Sequence, residues 1–150
     1  MAKGFKFKLA PVLRLQELKE DQVKNELGVI IRNINHKIQM IDKYREEIRF
    51  YFSRYEQSEN LRGNMTAGLR QYMPEFLVTH YDKIKKCRSE LEDLNYKKDE
   101  LIQKLAVAKG QVKIFTNLRD KKYQTYKKNY DSKIEREIEE FIILKGGKNE

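Results

Sequence analysis

Few residues of this 150-residue chain have the types and spacing that catalysis or metal binding requires. The two histidines, His36 and His80, lie outside any HExxH pattern, and the single cysteine, Cys87, has no CxxC partner. No GxxxxGK[ST] loop is present to bind a phosphate, and no nucleophile stands beside a base in a recognisable arrangement. The sequence therefore predicts a protein that is not an enzyme, with no cofactor, metal or small-molecule substrate.

Residues suited to binding a partner, rather than to catalysis, are concentrated in two basic stretches. Residues 1–14 contain four basic and no acidic side chains, and residues 119–133 contain six basic and two acidic ones, followed by the apolar run "FIIL" at 141–144. These are either ordinary solvated helix ends or a docking surface for an acidic, partly apolar socket, in which cations steer the encounter and tyrosines supply contact area. The candidate docking residues are Lys6, Lys8, Arg14, Arg119, Lys121, Lys122, Tyr123, Tyr126, Lys127, Lys128 and Tyr130.

A third unusual stretch, "YMPEFLVTHYDKIKKC" at residues 72–87, contains more apolar surface than a single helical seam needs. Two interpretations remain open for its first residues, Tyr72, Met73, Phe76 and Leu77. They either close the end of a helical hairpin or form a partner site that faces solvent.

The elements that position these residues follow from a heptad pattern. In the first half of the chain, Ile34, Ile41 and Ile48 recur every seven residues, with Tyr44 and Tyr51 as companions and Ile38 beside the polar Lys37. Pro11 suits the first turn of a helix, because its missing N–H has no partner to lose. The pattern predicts a first helix over about 11–57 and a connection over about 58–74, where glycines and Pro74 interrupt it.

A second heptad pattern predicts a helix over about 75–144. Ile84, Cys87, Leu94 and Leu101 are members of its stripe, so Cys87 is expected to be a small core residue. The stripe then slips in phase, because eleven residues separate Phe115 from Tyr126, and such a stutter relaxes a left-handed supercoil. Tyr126, Tyr130, Ile134, Ile138 and Phe141 continue it.

Two heptad helices joined by a short connection predict an all-α fold, a long two-helix antiparallel coiled coil with unequal helices. The whole chain would form this one domain, and the protein alone would be a monomer. A parallel homodimer of each helix is the structural alternative.

Composition limits the class of protein further. The net charge is +9, but 23 acidic residues accompany the basic ones, which is typical of solvated helix faces. No zinc-finger, homeodomain or RNP-type signature is present, so nucleic acid is an unlikely partner. A single cysteine indicates a reducing cytoplasm, and no apolar run is long enough for a signal peptide core or a membrane span.

The segment "FKFKLAPVLRLQELKEDQVKNELG" at residues 5–28 resembles the N-terminal signature of the FliJ family. Members begin F-x-F-x-L-x-x-V-L-x-L-R/Q-E and continue through E-x-x-A/V-x-x-E-L. The matching residues are Phe5, Phe7, Leu9, Val12, Leu13, Leu15, Glu17, Glu20, Val23, Glu26 and Leu27.

The resemblance implies a cytosolic component of bacterial flagellar type III export, acting at the cytoplasmic face of the inner membrane at the flagellar base. The family is similar to the gamma stalk of rotary ATP synthases. The implied partners are the hexameric export ATPase, entered by the basic end, the cytoplasmic domain of the export gate, and export chaperones. Phe76 fits the aromatic that begins the family's gate strip, and Tyr72, His80 and Lys83 are the other candidates for gate binding.

Three other readings remain open. The equivalent stalk of a virulence secretion system has the same composition. A nucleic-acid-binding coiled coil would show a steep salt dependence on generic DNA. A scaffolding coiled coil would normally be a stable parallel dimer.

Overall fold

The computed structural model describes residues 4–60 and 65–147, and the side chains of residues 4–57 and 71–146. Two α-helices, α1 (Ala10–Asn60) and α2 (Met65–Gly147), contain nearly all of the described chain. No strand occurs in these described ranges. The predicted all-α helical hairpin with unequal helices is confirmed.

Helix α1 begins one residue before the predicted start. The backbone N–H of Leu13 donates to the carbonyl of Leu9 at 2.9 Å, and the N–H of Ala10 donates to the carbonyl of Phe7 at 3.1 Å. Pro11 therefore lies in the first turn, where its fixed φ favours the helix and its missing N–H costs nothing.

Helix α2 begins earlier than the sequence predicts, and Pro74 lies inside it. A proline in a helix interior costs roughly 3 kcal/mol, which is why this residue indicated a connection. The helix continues past it because Phe76 and Leu77, two and three residues after the proline, pack against the hydrophobic core. The predicted connection over 58–74 is thus replaced by helix on both sides of residues 61–64, which lie outside the described residues.

The chain divides into two compact units, and the single coiled-coil domain expected from the sequence stays a prediction. Unit 1 contains the chain up to Gln22 together with the chain from Leu105 onward, and unit 2 contains Val23–Lys104. Each unit takes one section of α1 and one section of α2, so both units are built from the same two helices.

The core of unit 2 is the predicted heptad seam. Ile41, Ile48, Ile84 and Cys87 are buried together, and Cys87 has the predicted role of a small core residue. Contacts between the helices run in opposite chain directions, because Tyr51 stacks on Phe76 while Lys37 pairs with Glu90. The two sections are therefore antiparallel.

At one turn of this seam, a lysine takes the inner position. Lys37 is half-buried and forms an ion pair with Glu90, whereas the neighbouring Ile38 is exposed. The hydrogen bond between these two side chains raises the pKa of Lys37 and lowers the pKa of Glu90. The heptad register places position 37 at the seam regardless of residue type, and the long lysine stem covers apolar surface while its ammonium reaches the carboxylate.

In unit 1, the N-terminal segment folds over α2. The ring of Phe5 packs edge-on to Tyr123, with centroids 5.2 Å apart, and contacts Tyr126 at 5.5 Å. Gly4 has a φ of +91°, and an added Cβ would lie 3.0 Å from the hydroxyl of Tyr126, so this position favours glycine on two grounds. Leu13 is the buried residue of α1 in this unit.

The α2 seam of unit 1 follows the predicted stutter. Phe115, Arg119, Tyr123 and Tyr126 are all half-buried, at spacings of four, four and three residues. Eleven residues over three turns is the repeat that relaxes a left-handed supercoil.

Replacing Ile84 with alanine tests the unit 2 core. Ile84→Ala should destabilise the protein toward the lower end of the roughly 2–5 kcal/mol range for buried Ile→Ala changes, because a two-helix seam can partly collapse around the missing atoms. The free energy of unfolding from urea titration, followed by circular dichroism, measures the effect. Ile102→Ala, which truncates an exposed isoleucine of the same helix, should change stability by about 0.5 kcal/mol or less. Equal effects of the two changes would contradict the assigned seam.

Candidate functional site

Unit 1 brings the two basic stretches of the sequence together. Because Phe5 contacts Tyr123 and Tyr126, the N-terminal segment that carries Lys6 and Lys8 packs on the part of α2 that carries the second basic stretch. All of the candidate docking cations except Arg119 are exposed. The exposed ones form what we call the basic surface: Lys6, Lys8, Arg14, Lys121, Lys122, Lys127 and Lys128.

Arg119, the remaining predicted cation, has a different environment. Its side chain is half-buried in the α2 seam, and its Nε lies 3.5 Å from the Oδ1 of Asp120. Arg119 therefore contributes to packing within unit 1 more than to the basic surface.

The tyrosines of this stretch also differ in exposure. Tyr123 and Tyr126 are half-buried against Phe5, which leaves them little area for a partner. Tyr130 is exposed and stacks on Tyr126, with ring centroids 6.3 Å apart. Sequence reasoning gave all three as candidate docking residues, but the ring of Phe5 covers two of them.

Unit 2 contains the second candidate site, a column of three stacked rings. Phe76 lies between Tyr51 of α1 and His80 of α2, with ring centroids 4.3 Å and 3.9 Å away. Burial raises the pKa of Tyr51. Tyr72 extends the column toward solvent, since it is 57% exposed and 6.5 Å from the Phe76 ring.

His80 is the buried end of this aromatic column, with 8% of its surface exposed. Its Nδ1 lies 3.1 Å from the carbonyl oxygen of Phe76, and its Nε2 lies 2.7 Å from Oε2 of Glu47. A carbonyl and a carboxylate both accept hydrogen bonds, so both contacts form when the two ring nitrogens each carry a hydrogen. His80 thus holds the column in place and ties α2 to α1. Its burial does not fit a direct contact with a partner.

Lys83, the last candidate on this face, is exposed, and its Nζ lies 5.5 Å above the ring of Tyr44. Cation–π contacts at exposed sites contribute about 0.5–1 kcal/mol. Lys83 is therefore positioned by Tyr44 but accessible to a partner.

Beside the column lies an open groove of about 770 Å³, and its α1 side is lined by polar and charged residues and by Phe50: Gln39, Asp42, Lys43, Glu46, Glu47 and Phe50. Phe50 is 63% exposed, and the guanidinium of Arg54 lies 5.3 Å from its ring centre. Sequence reasoning missed Glu47, Phe50 and Tyr51 as parts of this site. The antiparallel register was the missing information, because it sets residue 47 opposite residue 80 and residue 51 opposite residue 76.

Within the described residues, no three His, Cys, Asp or Glu side chains are grouped so that they could hold a metal ion. Neither described helix has a stretch apolar enough to span a bilayer.

A family model described as "Flagellar FliJ protein" matches residues 5–148, which is almost the whole chain. The chain belongs to the FliJ family. Comparison with curated proteins and with solved structures gave no match. The FliJ match covers the N-terminal signature, both helices and both candidate sites.

Membership in the FliJ family establishes a component of flagellar type III protein export. FliJ proteins are cytoplasmic coiled-coil proteins of this export system and are not enzymes. The family therefore directs attention to surfaces that bind other proteins, and the basic surface and the aromatic column are two candidates among the described residues.

The contact between His80 and Glu47 can be measured by a double-mutant cycle. We expect His80→Gln and Glu47→Gln each to destabilise the protein, with a coupling energy of about 0.5–1.5 kcal/mol, because an uncharged amide at either position replaces the hydrogen bond to the carboxylate with a weaker, neutral one. Urea unfolding of the four proteins gives the coupling. His36→Gln, at an exposed histidine of α1, serves as the control and should be close to neutral. Additive effects of the two changes would show that the contact contributes no stability.

Proposed function

We propose that this protein is a stalk-like regulator of flagellar export that binds the hexameric export ATPase through its basic surface. It promotes ring assembly and ATP hydrolysis. It also contacts the cytoplasmic domain of the export gate through the aromatic column and handles export chaperones. It does so at the cytoplasmic face of the inner membrane at the flagellar base.

The observation that carries the proposal is the exposure of the cations of unit 1. Seven lysine and arginine side chains from two distant parts of the sequence are exposed in the same unit. Cations grouped in this way accelerate association with an acidic surface and make it dependent on salt. A merely solvated helix end does not require the N-terminal segment to fold back onto it.

The proposed gate site rests on the exposed part of the column. Tyr72 is more than half exposed, Phe76 is half-buried, and Lys83 is exposed on the same helix. Aromatic side chains that are held in place supply contact area at low entropic cost. Because His80 and Tyr51 fix the ring of Phe76 from both sides, the site is preorganised for a partner.

Such a protein regulates by binding rather than by chemistry. A ligand shifts a conformational equilibrium only by its differential affinity for the two states. The protein would therefore bind the catalytically competent state of the ATPase ring more tightly than the other states, and would thereby raise its population.

The basic surface can be tested with a set of neutralised lysines. Changing Lys121, Lys122, Lys127 and Lys128 together to glutamine should raise the concentration needed for half-maximal stimulation of the ATPase about tenfold at low salt. The difference should shrink at high salt, because screening weakens exposed charges. The measurement is ATP hydrolysis by the export ATPase of the same organism against added protein, with heat-denatured protein as the blank.

A matched control removes the same number of charges elsewhere. The quadruple glutamine variant at Lys97, Lys104, Lys109 and Lys113, all exposed on α2, should stimulate nearly as well as the unchanged protein. If both variants stimulate normally, the basic surface does not bind the ATPase. If the unchanged protein does not stimulate but binds DNA with a steep salt slope, the export role itself is wrong.

The gate site can be tested at Phe76 and Tyr72. Phe76→Ala and Tyr72→Ala should each weaken binding to the cytoplasmic domain of the gate protein about tenfold, or about 1.4 kcal/mol. Calorimetry measures the affinity, and circular dichroism checks that helicity is kept. Tyr72→Ala separates binding from folding, because the Tyr72 side chain is largely exposed. Tyr96→Ala, at another exposed tyrosine of α2, is the control. Unchanged affinity of Tyr72→Ala and Phe76→Ala would exclude this site.

A further inference from the structure

The last described section of α2, residues 127–146, carries an apolar stripe whose members are exposed apart from the half-buried Ile134. Phe5 lies over Tyr123 and Tyr126, and beyond Tyr126 almost every residue is exposed. The stripe nevertheless continues through Tyr130, Ile134, Ile138 and Phe141 at spacings of four, four and three, the same spacings as in the covered seam. It therefore continues the seam that the N-terminal segment covers at Tyr123 and Tyr126.

The end of this section is more apolar still. Phe141, Ile142, Ile143 and Leu144 are between 61% and 72% exposed. Single exposed apolar residues are common on proteins, but a contiguous group of this size marks an interaction site.

The charges around the stripe are separated by sign along the helix. Residues 127–136 contain four basic and two acidic side chains, so this half is positive. Residues 137–146 contain three acidic and one basic side chain, so this half is negative. Two copies of the section placed antiparallel set the positive half of each against the negative half of the other, whereas a parallel pair sets like charges together.

We propose that this section of α2, residues 127–146, binds the same section of a second copy of the chain, antiparallel and about a two-fold axis near its middle. The apolar stripe supplies the buried contact, and the charge separation fixes the direction. The inference concerns self-association and does not depend on the proposed binding to the ATPase. It departs from the monomer expected from the hairpin, because α1 and the N-terminal segment supply a partner for the α2 seam only as far as Tyr126.

The dimer should be of moderate affinity and should depend on concentration. The section is about 30 Å long at 1.5 Å per residue, and helices of this length are marginal until their apolar face is packed. The full chain should therefore pass from monomer to dimer over roughly the micromolar range.

Sedimentation velocity of the full chain against concentration tests the proposal, with charge-reversal pairs as variants. Lys133→Glu with Arg136→Glu, and separately Glu139→Lys with Glu140→Lys, should each weaken dimerisation about tenfold or more, because like charges then face each other. An equal mixture of the two double variants should restore a dimer, since the reversed halves complement each other. Phe141→Asp should abolish the dimer through the apolar contact.

Two control variants make the same kinds of change outside residues 127–146. Lys109→Glu with Lys113→Glu changes the same charges at exposed sites of α2 before the section, and Val107→Asp places a charge at another exposed apolar site. Both should dimerise normally. A chain that stays monomeric at every concentration, or two double variants that fail to complement each other, would overturn the proposal. A dimer without ATPase stimulation would leave it standing and count against the proposed function alone.

Discussion

Burial of a single apolar stripe on each helix is the constraint from which the other features of this protein follow. Ile41, Ile48, Ile84 and Cys87 form the core of unit 2, and few other side chains among the described residues are buried. A helix that packs on one side leaves the rest of its circumference to water, which explains why 37% of the residues are charged. It also means that binding surfaces must flank the seam or extend beyond it.

Both candidate sites obey this constraint, and each is fixed by contacts at the seam. The aromatic column uses one ring from α1 and two from α2, so its geometry depends on the antiparallel register. Phe76 consequently has two roles, because its ring is stacked on Tyr51 and His80 while part of the half-buried side chain remains exposed to a partner. Because replacing Phe76 also disturbs packing, a loss of binding in Phe76→Ala can be interpreted only together with Tyr72→Ala. Tyr72 belongs to the same surface but contributes little to the core.

Sequence reasoning succeeded where one local rule decided the outcome. Ile41, Ile84 and Cys87 were assigned to the core because a period of 3.5 residues leaves no other face for them. Sequence reasoning was wrong at Pro74, where it expected the proline to interrupt the helix. Packing of the following turn outweighs the low helix preference of proline there. Sequence reasoning also failed to give the contact of Phe5 with Tyr126, since segments so distant in sequence leave no periodic signal of their meeting.

The seam also sets a limit on how partners can share the molecule. In the described residues, the last part of α2 continues the apolar stripe past Tyr126, the last seam residue that Phe5 covers, so these side chains are available to whatever binds them first. Lys127 and Lys128 belong both to the basic surface and to the section proposed to bind a second copy, so a ring partner and a second copy would compete for them. Self-association would therefore reduce the fraction of chain competent to bind a ring, and the apparent dissociation constant would rise by the inverse of that fraction. Such competition requires no conformational change within either unit, because the free monomer already presents the face that both partners would use.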